Sequence, residues 1–201
     1  MKKLVLVLLI LAVVGGTAFS FNIKTFPSPI KKGDFMISPT FSFGSYWGLA
    51  SAIGITGAFD YALPTPIALT VGLEAGVGMV VGTWVGDDLM CLPILARIAW
   101  HPNFEVKNLD TYATLKLGYN VNLTSDKTEY YTYKGGFSYG FNVGARYFFS
   151  NNIGIFGELG YDRWGLSYEY TFPGYYGYGG YTNSFSYYIY TWVHLGITFK
   201  I

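Results

Sequence analysis

Charge is what this chain has least of. Asp, Glu, Lys and Arg make up only 12% of its 201 residues, against roughly 25% in an average soluble domain. That shortage argues against a fully wetted surface. The formal net charge is +1, which gives no electrostatic ground for a nucleic-acid partner. Cys91 is the single cysteine, so an intramolecular disulfide framework is excluded. With two histidines beside it, a His/Cys zinc site is not expected. The residues call for no metal and no cofactor.

Aromatic residues are abundant instead. They reach 20%, with 19 Tyr, 16 Phe and 5 Trp. A Tyr ring has an apolar body and a polar tip, which suits a surface lying between hydrocarbon and water.

The N-terminus has the parts of a secretory signal. Lys2 and Lys3 are the positive region, residues 4–14 are an unbroken apolar run, and Ala18, Phe19 and Ser20 fit the cleavage spacing. The run is too short to span a bilayer comfortably as an anchor helix. Cleavage is expected after Ser20, and no cysteine follows to take a lipid. The chain then divides into a cleaved signal peptide at 1–20, a short periplasmic segment at 21–32, and one domain at 33–201.

Within 33–201 the recurring pattern has period two. From Ile67 to Val81 the odd positions are apolar: Ile67, Leu69, Val71, Leu73, Ala75, Val77, Met79 and Val81. The even positions are mostly small, with one carboxylate, Glu74. Alternation of this kind describes a strand whose two faces meet different surroundings. A membrane helix fits less well. Gly72/Gly76 and Gly78/Gly82 have the small-xxx-small spacing, but Glu74 would sit near the bilayer centre at a cost of a few kcal/mol.

Seven further segments repeat the pattern, beginning at Phe35, Ile53, Leu92, Ala113, Phe137, Ile153 and Tyr187. Eight is an even number, as single-chain bacterial barrels require. The sequence therefore predicts an all-β fold, an eight-stranded antiparallel up-and-down transmembrane β-barrel. A lipocalin-like barrel would need a charged, wetted outer face, whereas the polar face here is Gly, Ser, Thr, Ala and Asn. The bulky face, ending in Tyr, Trp and Phe, is expected to point outward to lipid. The predicted location is the bacterial outer membrane.

Three stretches carry a family resemblance. The end of the chain, His194-Leu195-Gly196-Ile197-Thr198-Phe199-Lys200-Ile201, is similar to the C-terminal assembly signal of outer-membrane barrels, with Ile201 where Phe is usual. Leu92-Pro93-Ile94-Leu95-Ala96-Arg97 and Gly154-Ile155-Phe156-Gly157-Glu158-Leu159-Gly160-Tyr161 resemble the fourth and seventh strands of the small eight-stranded outer-membrane barrel family (OmpA/OmpX/OmpW-like). The resemblance implies His194, Gly196, Phe199 and Ile201 as the assembly signal, and the barrel assembly machinery as a partner beside outer-membrane lipid. It implies no reaction.

Two groups of residues could carry function. Inward charges are expected at Asp60, Glu74, Arg97, Lys116, Arg146, Glu158, Asp162, His194 and Lys200. An eight-stranded barrel leaves just enough interior for side chains to fill, so four acids against four fixed bases predict a lumenal salt-bridge network. The outer loops are expected at 45–48, 83–89, 124–135 and 173–184. Tyr130, Tyr131 and Tyr133, and Tyr175, Tyr176, Tyr178 and Tyr181, are candidate surface-binding residues for an extracellular ligand. The sequence favours reading these rings as an outer aromatic girdle and extended strand ends.

The function expected is a structural or surface-interaction barrel with a filled lumen. The alternative is a narrow conduit for small or apolar solutes, which Phe156, Trp164, Tyr190 and Trp192 on the inward face would favour. An enzyme is not expected, because neither His101 nor His194 shows a Ser–Asp partnership in the sequence.

Overall fold

The computed structural model describes residues 26, 30–46, 50–81, 89–124, 131–172 and 181–201. Its strands are β1 (Phe35–Tyr46), β2 (Ala50–Ala62), β3 (Leu69–Val81), β4 (Leu89–Trp100), β5 (Leu109–Asn122), β6 (Tyr131–Phe148), β7 (Ile153–Phe172) and β8 (Tyr181–Lys200). Each pairs antiparallel with the next, and β1 pairs with β8 to close the ring. The signal peptide, the outer-loop residues Tyr130, Tyr175, Tyr176 and Tyr178, and the side chain of Tyr131 lie outside the described residues.

Closure follows from the alternation. On β3, Thr70, Glu74 and Val80 are buried while Val71, Leu73, Val77 and Met79 are exposed. On β4, Cys91, Leu95, Arg97 and Ala99 are buried while Met90, Ile94 and Ile98 are exposed. The bulky apolar face points out, with Leu73 60% and Leu159 62% exposed. The small and charged face points in.

Two bulges break the parity. The β6–β7 register shifts between Gly135 and Tyr139, so Tyr133 and Ser138 are both buried. On β8, Val193 pairs with Phe43 while Thr191 pairs with Gly44, which leaves Trp192 as the extra residue. Trp192 is therefore exposed, and Thr191 and Ile189 face inward. An inserted residue reverses the faces of everything beyond it.

The wall is uneven. β6, β7 and β8 have 18, 20 and 20 residues, and β1 has 12. At ~3.4 Å per residue and ~40° tilt, β7 rises about 50 Å and β1 about 30 Å. The turns at 63–68, 101–108 and 149–152 define the near end, where β1 begins and β8 finishes.

The interior is layered. At the near end Ile30, Met36, Ala62 and Phe148 form a buried apolar base, with Phe26 packed against it. The 21–32 segment thus contributes Phe26 and Ile30 to the underside of the barrel. Charged side chains fill the middle. Above them Trp164, Tyr133, Leu166, Ile189 and Cys91 belong to an apolar layer. Trp164 fits because Gly54 and Gly78 lie beneath its indole. A Cβ on Gly54 would stand 2.8 Å from its ring, and one on Gly78 would be closer still.

Candidate functional site: the charged lumen

One register row assembles the centre. Asp60, Gly72, Arg97, Lys116, Gly140 and Asp162 are successive partners from β2 to β7. The glycines make room for carboxylates: a Cβ on Gly72 would stand 2.5 Å from Asp60 Oδ1, and one on Gly140 would collide with Asp162. A second row places Tyr112, Gly144, Glu158, His194 and Ser42 side by side.

Arg97 spends its guanidinium on three carboxylates. Nη1 donates to Glu74 Oε2 at 3.2 Å and Nη2 to Glu158 Oε1 at 3.4 Å. Nε lies 3.0 Å from Asp60 Oδ1 as an ion pair, without hydrogen-bond alignment. Lys116 Nζ reaches Glu74 Oε2 and Asp162 Oδ2, each at 2.9 Å, and Glu158 Oε2 at 3.6 Å. Neutral donors complete the shell. Tyr112 donates to Glu158 Oε1 at 3.0 Å, Asn142 to Asp162 Oδ1 at 2.6 Å, and Thr56 to Glu74 Oε1 at 3.3 Å.

The expected balance of four acids against four bases is not what the fold builds. Arg146 leaves the centre to pair with Asp110 at 3.3 Å, its guanidinium over the Tyr112 ring at 5.0 Å. Lys200 sits at the near rim, 3.5 Å from Asp34. The central cluster therefore has Asp60, Glu74, Glu158 and Asp162 against Arg97 and Lys116, with His194 as the remaining basic group.

Both histidines do have hydroxyl and carboxylate partners, contrary to the expectation from sequence. His194 Nδ1 is 2.8 Å from Ser42 Oγ, and its Nε2 is 3.2 Å from Asp162 Oδ2. His101 Nε2 is 3.1 Å from Thr70 Oγ1, and its Nδ1 is 2.7 Å from Asp110 Oδ1. Ser42 and Thr70 are wholly buried. These contacts orient imidazoles inside a packed lumen.

Asp110, Tyr112 and Asp34 are the site residues the sequence reading misses. The alternation could have found the first two. Carried from Ala113 back to Leu109, it sets Asp110 and Tyr112 on the inward face with Thr114. Carried past Trp100, it buries His101 as well.

Several aromatic expectations change. Phe156 and Trp164 face inward. Trp192 points outward, and Tyr190 stacks with the exposed Tyr161 at 5.0 Å on the outer wall. Tyr133 is a buried lumen residue rather than a loop residue, because the Gly135 bulge turns it inward. Tyr181 is exposed but begins β8. Of the terminal assembly-signal residues, His194 is buried while Phe199 and Ile201 are exposed.

A closed antiparallel up-and-down β-barrel with an apolar outer belt and a charged lumen is the class this geometry defines. Solved structures of the same fold include the outer membrane protein OprG from Pseudomonas aeruginosa, with 15% identity and a TM-score of 0.62, covering 90% of this chain and 99% of that one. The outer membrane protein AlkL, solved in DMPC lipid bilayers, matches with 15% identity and a TM-score of 0.56 over 90% of this chain and 95% of that one. No protein-family model and no curated protein sequence matches.

Proposed function

We propose that the chain is a bacterial outer-membrane β-barrel whose lumen is closed to ions and whose role is structural or surface-interacting. The observation that carries this reading is the layered lumen. An apolar base, a charge network spanning β2 to β8, and a Trp164-centred layer follow one another along the axis. A hydrated ion would have to break several buried ion pairs to pass, and breaking one such pair costs roughly 3–5 kcal/mol. The outward belt suits lipid, and outer-membrane proteins share the fold. An N-terminal signal and the resemblance of the final strand to an assembly signal point the same way.

Reconstitution into planar bilayers tests the reading. Purified protein that inserts should leave the membrane silent. Stable conductance steps that Arg97→Ala alters would overturn the closed lumen.

The apolar layer above the charges favours a second reading, a narrow conduit for apolar solutes. Trp164, Leu166 and Ile189 line the lumen with apolar side chains above the charged groups. A solute entering there would have to leave sideways through the wall. Faster uptake of an apolar solute into liposomes bearing the protein, without ion conductance, would favour this reading over the structural one.

A further inference from the structure

Outward charge is almost absent from the wall. Among the described strand residues only Lys134, Arg163 and Glu169 turn a charged side chain outward, all on β6 and β7. Lys134 Nζ holds Glu169 Oε1 at 2.6 Å. Among the described residues Arg163 has no carboxylate partner; its side-chain contacts are to tyrosines.

Those tyrosines form a frame. Arg163 is the register partner of Tyr139 on β6 and of Tyr190 on β8. Nη1 donates to the Tyr139 hydroxyl at 3.0 Å, and the guanidinium carbon lies 3.2 Å from the centre of the Tyr188 ring. Tyr161 ties the group together, 5.0 Å from Tyr190 and 6.5 Å from Tyr139 between ring centres. Nε is covered and has no hydrogen-bond partner among the described residues, which leaves the second Nη1 proton and the Nη2 protons as the donors a ligand would meet.

Height gives the ligand. The outward side of β7 runs Ile153, Ile155, Gly157, Leu159, Tyr161, Arg163 from the near end. The steps from Ile153 to Arg163, at ~3.4 Å each and ~40° tilt, rise about 26 Å. That matches the apolar band of such barrels, about 25 Å. With Ile153 set at the lower edge of that band, Arg163 stands at its upper edge, where hydrocarbon would give way to outer-leaflet headgroups. A planar guanidinium takes two phosphate oxygens at once, and aromatic faces hold it in position.

We propose that Arg163, framed by Tyr139, Tyr161, Tyr188 and Tyr190, binds the phosphate group of an outer-leaflet glycolipid. The proposal rests on the outer-membrane reading. Arg163 supplies the charge, and the tyrosine hydroxyls supply further donors for phosphate or sugar oxygens.

The test uses the full protein in phosphatidylcholine vesicles containing a phosphorylated diglucosamine lipid, or the same lipid with its phosphates removed. Bound lipid is measured after purification from the vesicles. Wild type should retain the phosphorylated lipid roughly tenfold better or more, the value of one charge-assisted contact. Arg163→Gln should abolish that preference, and Arg163→Lys, which keeps charge but loses the fork, should keep part of it. Equal retention of both lipids by wild type, or an unchanged preference in folded Arg163→Gln, would overturn the proposal. So would full competition by millimolar inorganic phosphate, which would make the ligand a free anion. Protein that never inserts into the vesicles would instead overturn the membrane reading. Inserted protein without a preference leaves the membrane reading standing and removes only the site.

Discussion

Arg97 and Lys116 are register partners on neighbouring strands, and a single carboxylate oxygen, Glu74 Oε2, holds them both at 3.2 and 2.9 Å. Like charges directly opposite one another destabilise a sheet. Here the repulsion is absorbed by carboxylates arriving from the far wall, Glu158 and Asp162. The barrel interior therefore depends on Glu74 in a way that it does not depend on Asp60, which touches only Arg97 among the fixed bases.

Glu74→Gln should for that reason cost about 3–5 kcal/mol, the range for a broken buried pair. Asp60→Asn should cost clearly less, because Asp60 faces one fixed base where Glu74 faces two. Urea unfolding of the reconstituted variants measures both. Equal losses would contradict the unequal roles.

Gly78 is a packing position. A leucine there meets the Trp164 indole, and overpacking of this kind costs typically about 1–3 kcal/mol. A Cβ added to Gly57 would meet nothing within 4 Å. Gly78→Leu should change the near-ultraviolet circular dichroism and lower the unfolding midpoint, while Gly57→Leu should leave both near wild type.

Cys91 is completely buried in the apolar layer. A maleimide should leave the folded barrel unlabelled over the time it takes to label the denatured chain fully, because access controls thiol chemistry. Rapid labelling of folded protein, read by mass spectrometry, would show that the layer around Trp164 is open.

The wall of the barrel is legible in the sequence wherever no bulge intervenes. On β3 and β4 a simple odd-even reading assigns the inward residues from Thr70 to Ala99. It fails at Tyr133, Ile189 and Trp192, each lying beyond or within a register shift. Period two holds no information about where an extra residue enters. The inward charges are legible as a set, but their pairing is not. Arg146 departs to Asp110 because the two are register partners on β5 and β6, a relation that only the pairing of strands defines. The tyrosine-rich stretches read as loops because they are rich in Gly and polar residues, yet residues 131–135 and 181–184 extend β6 and β8.

The unequal strand lengths give the barrel a front and a back. The β1–β8 register runs from Met36↔Lys200 to Ser45↔Tyr190, so residues 181–189 of β8 rise past β1 together with the upper parts of β6 and β7. Seen from its far end, the described wall is less a ring than a screen standing on one arc of its own circumference. Neighbouring sugars and proteins would meet that screen from one side and a low sill from the other. In a membrane, rotating such a barrel about its axis would change what its neighbours encounter, so azimuth as well as depth would be part of how it is seated.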